Sequence, residues 1–219
     1  MIHDLIKKRR SIRHFSDKAV EFEKLMKILE AGIYAPSSGN IKDYRFTVVT
    51  EKGLMKEVAN SAIEQYWIAT APLVIVVSTE TDKVEAYYKK RGVDLYTQHN
   101  AAAAVQNILL SAEEEGLNTC WVGAFEEEKI KKALGMPDHV KPHAIIPLGY
   151  GDEPPRKRDE PMLEQYVYFN SYGNLVKNIH IVTREYNKII ADKTEETKGF
   201  IGKIKSEVHD LIKKSKKKQ

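Results

Sequence analysis

Thiols are almost absent from this chain. Cys120 is the single cysteine among 219 residues, so no internal disulfide can form, and no cluster of cysteine and histidine stands at metal-ligand spacing. No apolar run approaches the roughly 20 residues of a membrane span. The start, Met1-Ile2-His3-Asp4, lacks the charged and apolar regions of a secretory leader. A cytoplasmic location with no membrane partner is therefore expected. A glycine-rich dinucleotide fingerprint is missing as well. The body of the chain also has little net charge. Residues 203–219 hold seven lysines against Glu207 and Asp210, which leaves the other 202 residues with 28 basic and 29 acidic side chains. Without a basic face on the body, no nucleic-acid partner is expected, and the final lysines read as a solvated end.

Against these absences stand two short motifs near the start. Arg9-Arg10-Ser11-Ile12-Arg13 places three guanidinium groups around a hydroxyl, the donor chemistry suited to a phosphate. Ala35-Pro36-Ser37-Ser38-Gly39-Asn40 follows a helical stretch and precedes a strand-like run, and such a loop can wrap a planar ligand. Each motif alone also reads as a helix end or an ordinary turn. A third basic cluster, Arg156-Lys157-Arg158, follows the loop from Gly149 to Pro155 and can reach back to an anion or lie on the surface. Cys120 reads as a small buried strand residue, because a nucleophile would need a positioned base.

Periodicity predicts helices over Asp4–Lys8, Val20–Ile33, Leu54–Ile68, Asp94–Glu115 and Glu126–Leu134, with Gly116 and Gly135 ending the last two. Short β-branched runs predict strands at Arg45–Thr50, Leu73–Ser78, Thr119–Val122 and Ala144–Leu148. Ala101–Ala104 would let a partner backbone approach closely, in the core or at a subunit interface. Beyond Leu175, apolar residues such as Val182, Tyr186, Ile189, Ile204 and Val208 recur at helical spacing without a core of their own. Such segments pack on the body, on a second subunit or on a membrane surface, with an oligomer favoured.

These motifs resemble those of the FMN-dependent nitroreductase superfamily over about the first 170 residues. The resemblance is carried by Arg9 to Phe15, by Ala35 to Asn40 leading into Tyr44-Arg45-Phe46, by Gln106 to Leu110 through Gly116 to Gly123, and by Gly149-Tyr150-Gly151 before Arg156-Lys157-Arg158. It implies an α+β fold, a small and mostly antiparallel sheet flanked by helices, in an intertwined homodimer. Residues 1–172 would form the FMN-binding domain, and residues 173–219 a helical extension packed on the partner subunit with a lysine-rich end.

The same resemblance implies the site. Arg9, Arg10, Ser11, Arg156 and Arg158 would grip the FMN phosphate, and Arg13 would face the pyrimidine end of the flavin, where a cation favours the reduced anion. Pro36, Ser37, Ser38 and Asn40 would contact the flavin from the neighbouring subunit. Gln65 is a further cofactor-contact candidate, and the backbone at Val122, Gly123 and Ala124 would lie along the N5 and O4 edge. The sequence departs from the usual pattern at Lys42, Asp43 and Tyr44, and at Asn100, where an aspartate is common. The implied activity is that of an oxidoreductase passing a hydride from NADH or NADPH through FMN to a small acceptor such as a nitroaromatic or quinone, with no protein acid or base named as catalytic and no metal. The alternative is an FMN-binding protein with a storage, sensing or flavin-transforming role.

Overall fold

A computed structural model describes residues 1–154 and 161–175. Its chain divides into two compact units, Met1–Lys157 and Arg158–Gln219. In the first unit, helices α1 (Ile2–Lys8) and α2 (Phe22–Ile33) precede strand β1 (Tyr44–Val49), and helix α3 (Lys52–Ser61) leads to β2 (Leu73–Glu80). Helices α4 (Thr81–Arg91) and α5 (Thr97–Glu114) follow, then β3 (Asn118–Thr119), α6 (Glu127–Leu134) and β4 (Val140–Gly149). The four strands form one sheet in the order β1-β2-β4-β3, and every neighbouring pair is antiparallel. The expected α+β architecture with a small antiparallel sheet is present.

The sheet is covered on both faces, so β2 is apolar throughout its first five residues, Leu73 to Val77. Alternation along the strand then divides its side chains. Leu73, Ile75 and Val77 pack with Ile28 of α2 and with Val105, Ile108 and Leu109 of α5. Val74 and Val76 pack with Met55 and Val58 of α3 and Ile130 of α6. Each fully buried aliphatic side chain removed from water contributes about 1.5–3 kcal/mol. On the first face α2 comes so close that a Cβ at Gly32 would lie 2.7 Å from the Phe46 ring.

Several boundaries differ from those the sequence predicts, each for a local reason. The stretch Leu54–Ile68 is not one helix. Ile63 and Glu64 take φ of 56° and 55°, and the chain resumes as a short 3-10 turn at Tyr66–Thr70. Helix α4 has no periodic signal in the sequence, because it buries only Val84 and carries no apolar stripe. The helix predicted from Asp94 opens with a single wide π turn, Gly92–Tyr96, before α5 proper. The strand predicted over Thr119–Val122 is two residues of ladder, then a break, then an isolated bridge between Val122 and Ile145. Gly116 adopts φ of +73°, the left-handed stop expected of it.

In the second unit, the described residues hold a 3-10 turn at Leu163–Gln165 and a bridge between Tyr168 and Leu175. The amphipathic pattern beyond Leu175 and the lysine-rich end lie outside the described residues.

Candidate functional site

The first motif leaves helix α1 as extended chain. Arg9 ends the helix with φ −51° and ψ 133°, and the chain then runs beside β3. Ser11 forms a parallel bridge with Thr119, and the Ile12 N–H donates to the Thr119 carbonyl at 3.0 Å. Ile12 and Phe15 are buried, which pins the segment from beneath. On its other flank it pairs with the Gly149–Asp152 loop: the Ser16 N–H donates to the Tyr150 carbonyl at 2.9 Å, and the Asp152 N–H to the His14 carbonyl at 3.1 Å. Glu153 completes the clasp. Its carboxylate accepts from the Arg13 N–H and meets His14 Nδ1, both at 2.8 Å.

This clasp leaves cationic side chains gathered around Cys120. The thiol is buried. Burial pushes its pKa up, and the charges of Arg13 and Arg9, with a hydrogen bond from Ser11, pull against that rise. The Arg13 guanidinium stands 5.8 Å from the Trp67 ring centroid, within the range of a cation–π contact. Arg10 goes elsewhere. Its guanidinium turns back to the carbonyls of Lys7, Lys8 and Arg9, where it satisfies the open end of α1.

Beyond Cys120 the chain offers bare backbone. Val122 is locked into the sheet by exchanging two 2.9 Å hydrogen bonds with Ile145, whereas Gly123 and Ala124 are exposed. Among the described residues no acceptor takes the N–H of either. A Cβ at Gly123 would meet nothing closer than 3.7 Å, so the approach to this edge is open. Gln65 lies alongside, its Nε2 donating to the Ala62 carbonyl at 2.8 Å and, at 3.5 Å, to that of Ala124. The structure therefore brings Arg9, Ser11, Arg13, Gln65, Val122, Gly123 and Ala124 into one neighbourhood.

Pro36, Ser37, Ser38 and Asn40 gather in a second place. The turn carries left-handed backbone at Gly39, Asn40 and Lys42, with φ of 58°, 56° and 51°. It is tied down by side chains. Ser37 Oγ accepts from the Lys42 N–H at 2.9 Å, and Asn100 on α5 accepts from the Ser38 N–H at 2.8 Å and from its hydroxyl at 3.2 Å. Arg156 and Arg158 lie outside the described residues.

Three residues near these places were not singled out from the sequence as site residues. Trp67 carries no motif. Asp43 stands in the sequence only as a departure from the family pattern, yet it is wholly buried beneath the turn. His143 sits at a register shift in the pairing of β2 with β4, where the extra residue of a bulge frees its ring. There it meets Thr79 Oγ1 at 2.7 Å. Burial, with Lys141 nearby, brings its pKa down to about 4. A cavity of about 430 Å³ opens between His143, His99 and Gly123. Among the described residues no group of three His, Cys, Asp or Glu side chains could hold a metal ion, and no helix is long and apolar enough to cross a membrane.

A cationic extended segment and a bare backbone edge, side by side on a small antiparallel sheet flanked by helices, define the class to which this α+β protein belongs. The family model described as the nitroreductase family matches residues 6–70 and 54–150. This chain belongs to the nitroreductase family. It is 31% identical over 162 residues, 71% of this chain and 80% of the relative, to a protein of Methanothermobacter thermautotrophicus assigned as an NADH dehydrogenase/NAD(P)H nitroreductase. An iodotyrosine deiodinase of Thermotoga neapolitana is 25% identical over 197 residues, 78% of this chain and 99% of that one. Among solved structures, an FMN-dependent nitroreductase of Clostridium difficile superposes with a TM-score of 0.67 at 29% identity, covering 77% of this chain and 98% of its own.

Proposed function

We propose that this protein is an FMN-dependent oxidoreductase that takes a hydride from NADH or NADPH and delivers it to a small acceptor, working as a homodimer with residues of both subunits around each flavin. The observation that carries the reading is the pairing of the Arg9–Arg13 segment with β3, which sets two guanidinium groups and a hydroxyl around Cys120, on the stretch that leads to Gly123 and Ala124, whose N–H groups meet no acceptor among the described residues. That donor set suits a ligand with an anionic tail and a planar head rich in acceptor atoms.

When bound, FMN supplies reversible hydride transfer at its N5, which no side chain of this protein can provide. Arg9 and Ser11, with Arg156 and Arg158, hold the phosphate, and Arg10 adds its charge from the end of α1. Arg13 sits at the pyrimidine end, where its fixed positive charge favours a reduced, anionic ring. The backbone from Val122 to Ala124 offers N–H donors to the N5 and O4 edge, and Gln65 steadies that edge through the Ala124 carbonyl. Pro36, Ser37, Ser38 and Asn40 come from the other subunit, in keeping with the distinct place they occupy in a single chain, on α5. The domain covers residues 1–172, and residues 173–219 pack on the partner.

The acceptor is a nitroaromatic, a quinone or a related electron-poor ring. Relatives assigned as a nitroreductase and named as a deiodinase set the panel to be tried. The test is an anaerobic visible spectrum of the purified protein before and after NADH or NADPH, with the bound flavin identified by mass. Bleaching that a nitroaromatic, quinone or halogenated phenol reverses is the expected result. FMN that stays oxidised with both nucleotides would leave a flavin-binding or flavin-transforming role, and no FMN affinity at all would overturn the reading.

A further inference from the structure

Asp43 has no exposed surface. Its Oδ1 accepts from Asn100 Nδ2 at 2.7 Å, while its Oδ2 is buried and meets no donor among the described residues. A carboxylate left half satisfied away from water costs stability. It does not strengthen the core, so its value lies in what it does to its partner.

That partner is a side-chain amide, which can present either its oxygen or its nitrogen to a given neighbour. The Asn100 NH₂ group donates to the Asp43 Oδ1, which turns the Asn100 carbonyl oxygen the other way. The turned oxygen then receives both the N–H and the hydroxyl of Ser38. Ser38 opens a turn in which Gly39, Asn40 and Lys42 all have positive φ, a conformation that costs energy at the non-glycine positions and persists only if the surroundings over-determine it. The Asp43 main chain is itself fixed, its carbonyl accepting from the Glu80 N–H at 2.9 Å. The polarity of the whole arrangement thus runs from Asp43 through Asn100 to Ser38.

We propose that Asp43 is a positioning residue: acting through Asn100, it sets the Ser37–Asn40 turn in the shape that meets the flavin. This rests on the flavin reading above. Asp43 touches no flavin itself; it decides which end of Asn100 faces the turn.

The polarity can be reversed without changing the shape. In the double variant Asp43→Asn/Asn100→Asp, an amide donates to a carboxylate that still accepts from Ser38. Asn100→Asp alone instead sets two carboxyl groups against each other. The full-length protein is stripped of flavin, and two quantities are read: hydrogen exchange of the Ser38 amide before flavin is added, and FMN affinity by titration. Asn100→Asp is expected to speed Ser38 exchange at least about 10-fold and to weaken FMN by about 10- to 100-fold. The double variant is expected to bring both back to within about threefold of the parent. If Asn100→Asp does not fold, Asp43→Leu, which removes the acceptor and keeps the bulk, is expected to show the same two losses.

A double variant no better than Asn100→Asp, or single variants that leave Ser38 exchange unchanged, overturns the positioning role while FMN binding by the parent stands. A parent that binds no FMN overturns the flavin clause, and Ser38 exchange then still decides whether the pair orders the turn.

Discussion

The Arg9–Phe15 segment meets the strand and loop beside it through its main chain, whereas the Ser37–Lys42 turn is tied to α5 through side chains. In the first, Ile12, His14 and Ser16 pair through backbone groups with β3 and the Gly149–Asp152 loop. The Arg13 guanidinium, over the Trp67 ring, takes no part in that pairing. In the second, Ser37 and Ser38 serve both the turn's shape and its surface, with Asn100 buried behind them. Two ways of presenting polar groups follow, one in which side chains can be exchanged at little cost to the fold and one in which they cannot.

The sharpest way to break this contrast is to strip the charges from the first segment. Arg9→Ala and Arg13→Ala are each expected to cost about 2–5 kcal/mol of FMN binding, the cost of truncating one partner of a buried hydrogen-bonded charge pair. Thermal stability should stay within a few degrees of the parent. A calorimetric melt that falls steeply in either variant would show that the segment depends on those side chains after all.

Acid offers a second, somewhat gentler probe. His143 stays neutral in the fold because its pKa is brought down to about 4, while in the unfolded chain it titrates near 6.5. The unfolded state takes up a proton first, so the stability present above about pH 6.5 is lost as pH falls and levels off below about 4. The loss attributable to this ring is about 3 kcal/mol. His143→Gln should flatten that part of the curve in urea unfolding measured between neutral and acid pH. Parallel curves for parent and variant would show that the ring carries no proton-linked cost.

The smallest expected effect tests the turn. Gly39 has φ of +58°, and a Cβ there would lie 2.6 Å from the Tyr88 hydroxyl. Gly39→Ala is expected to cost about 1–3 kcal/mol in stability and to weaken FMN together with it. Adding Tyr88→Ala should recover the part due to the clash and leave the part due to φ. Full recovery would mean that the left-handed backbone carries no strain.

Much of this organisation was legible in the sequence because it is local. The apolar run of β2, the alanine-rich helix α5 and the glycine stop at Gly116 each follow from residues within a few positions of one another. What could not be read depends on distant partners or on backbone reversals. Asp43 and Asn100 are 57 positions apart, and neither residue type announces burial. The break at Ile63 and Glu64 uses residues that ordinarily avoid positive φ, so the pattern read on through it as helix. Arg10 shares a motif with Arg9 and Arg13, yet the nearest unsatisfied carbonyls belong to α1 and draw it there. Neither the contact of Gln65 with the Ala124 carbonyl nor the place of Trp67 beside Arg13 has a local signal in the sequence.

The bulge that frees His143 also bears on how this chain behaves in a crowd. β4 lies between β2 and the two-residue β3, so among the described residues no strand pairs with the outer side of its first half. Unpaired strand edges recruit strands from neighbouring molecules and seed aggregates. Here the extra residue breaks the even repeat of donors and acceptors, and Pro142 next to it has no N–H to offer. The irregularity that gives a histidine its place thereby leaves a foreign strand without a template to copy.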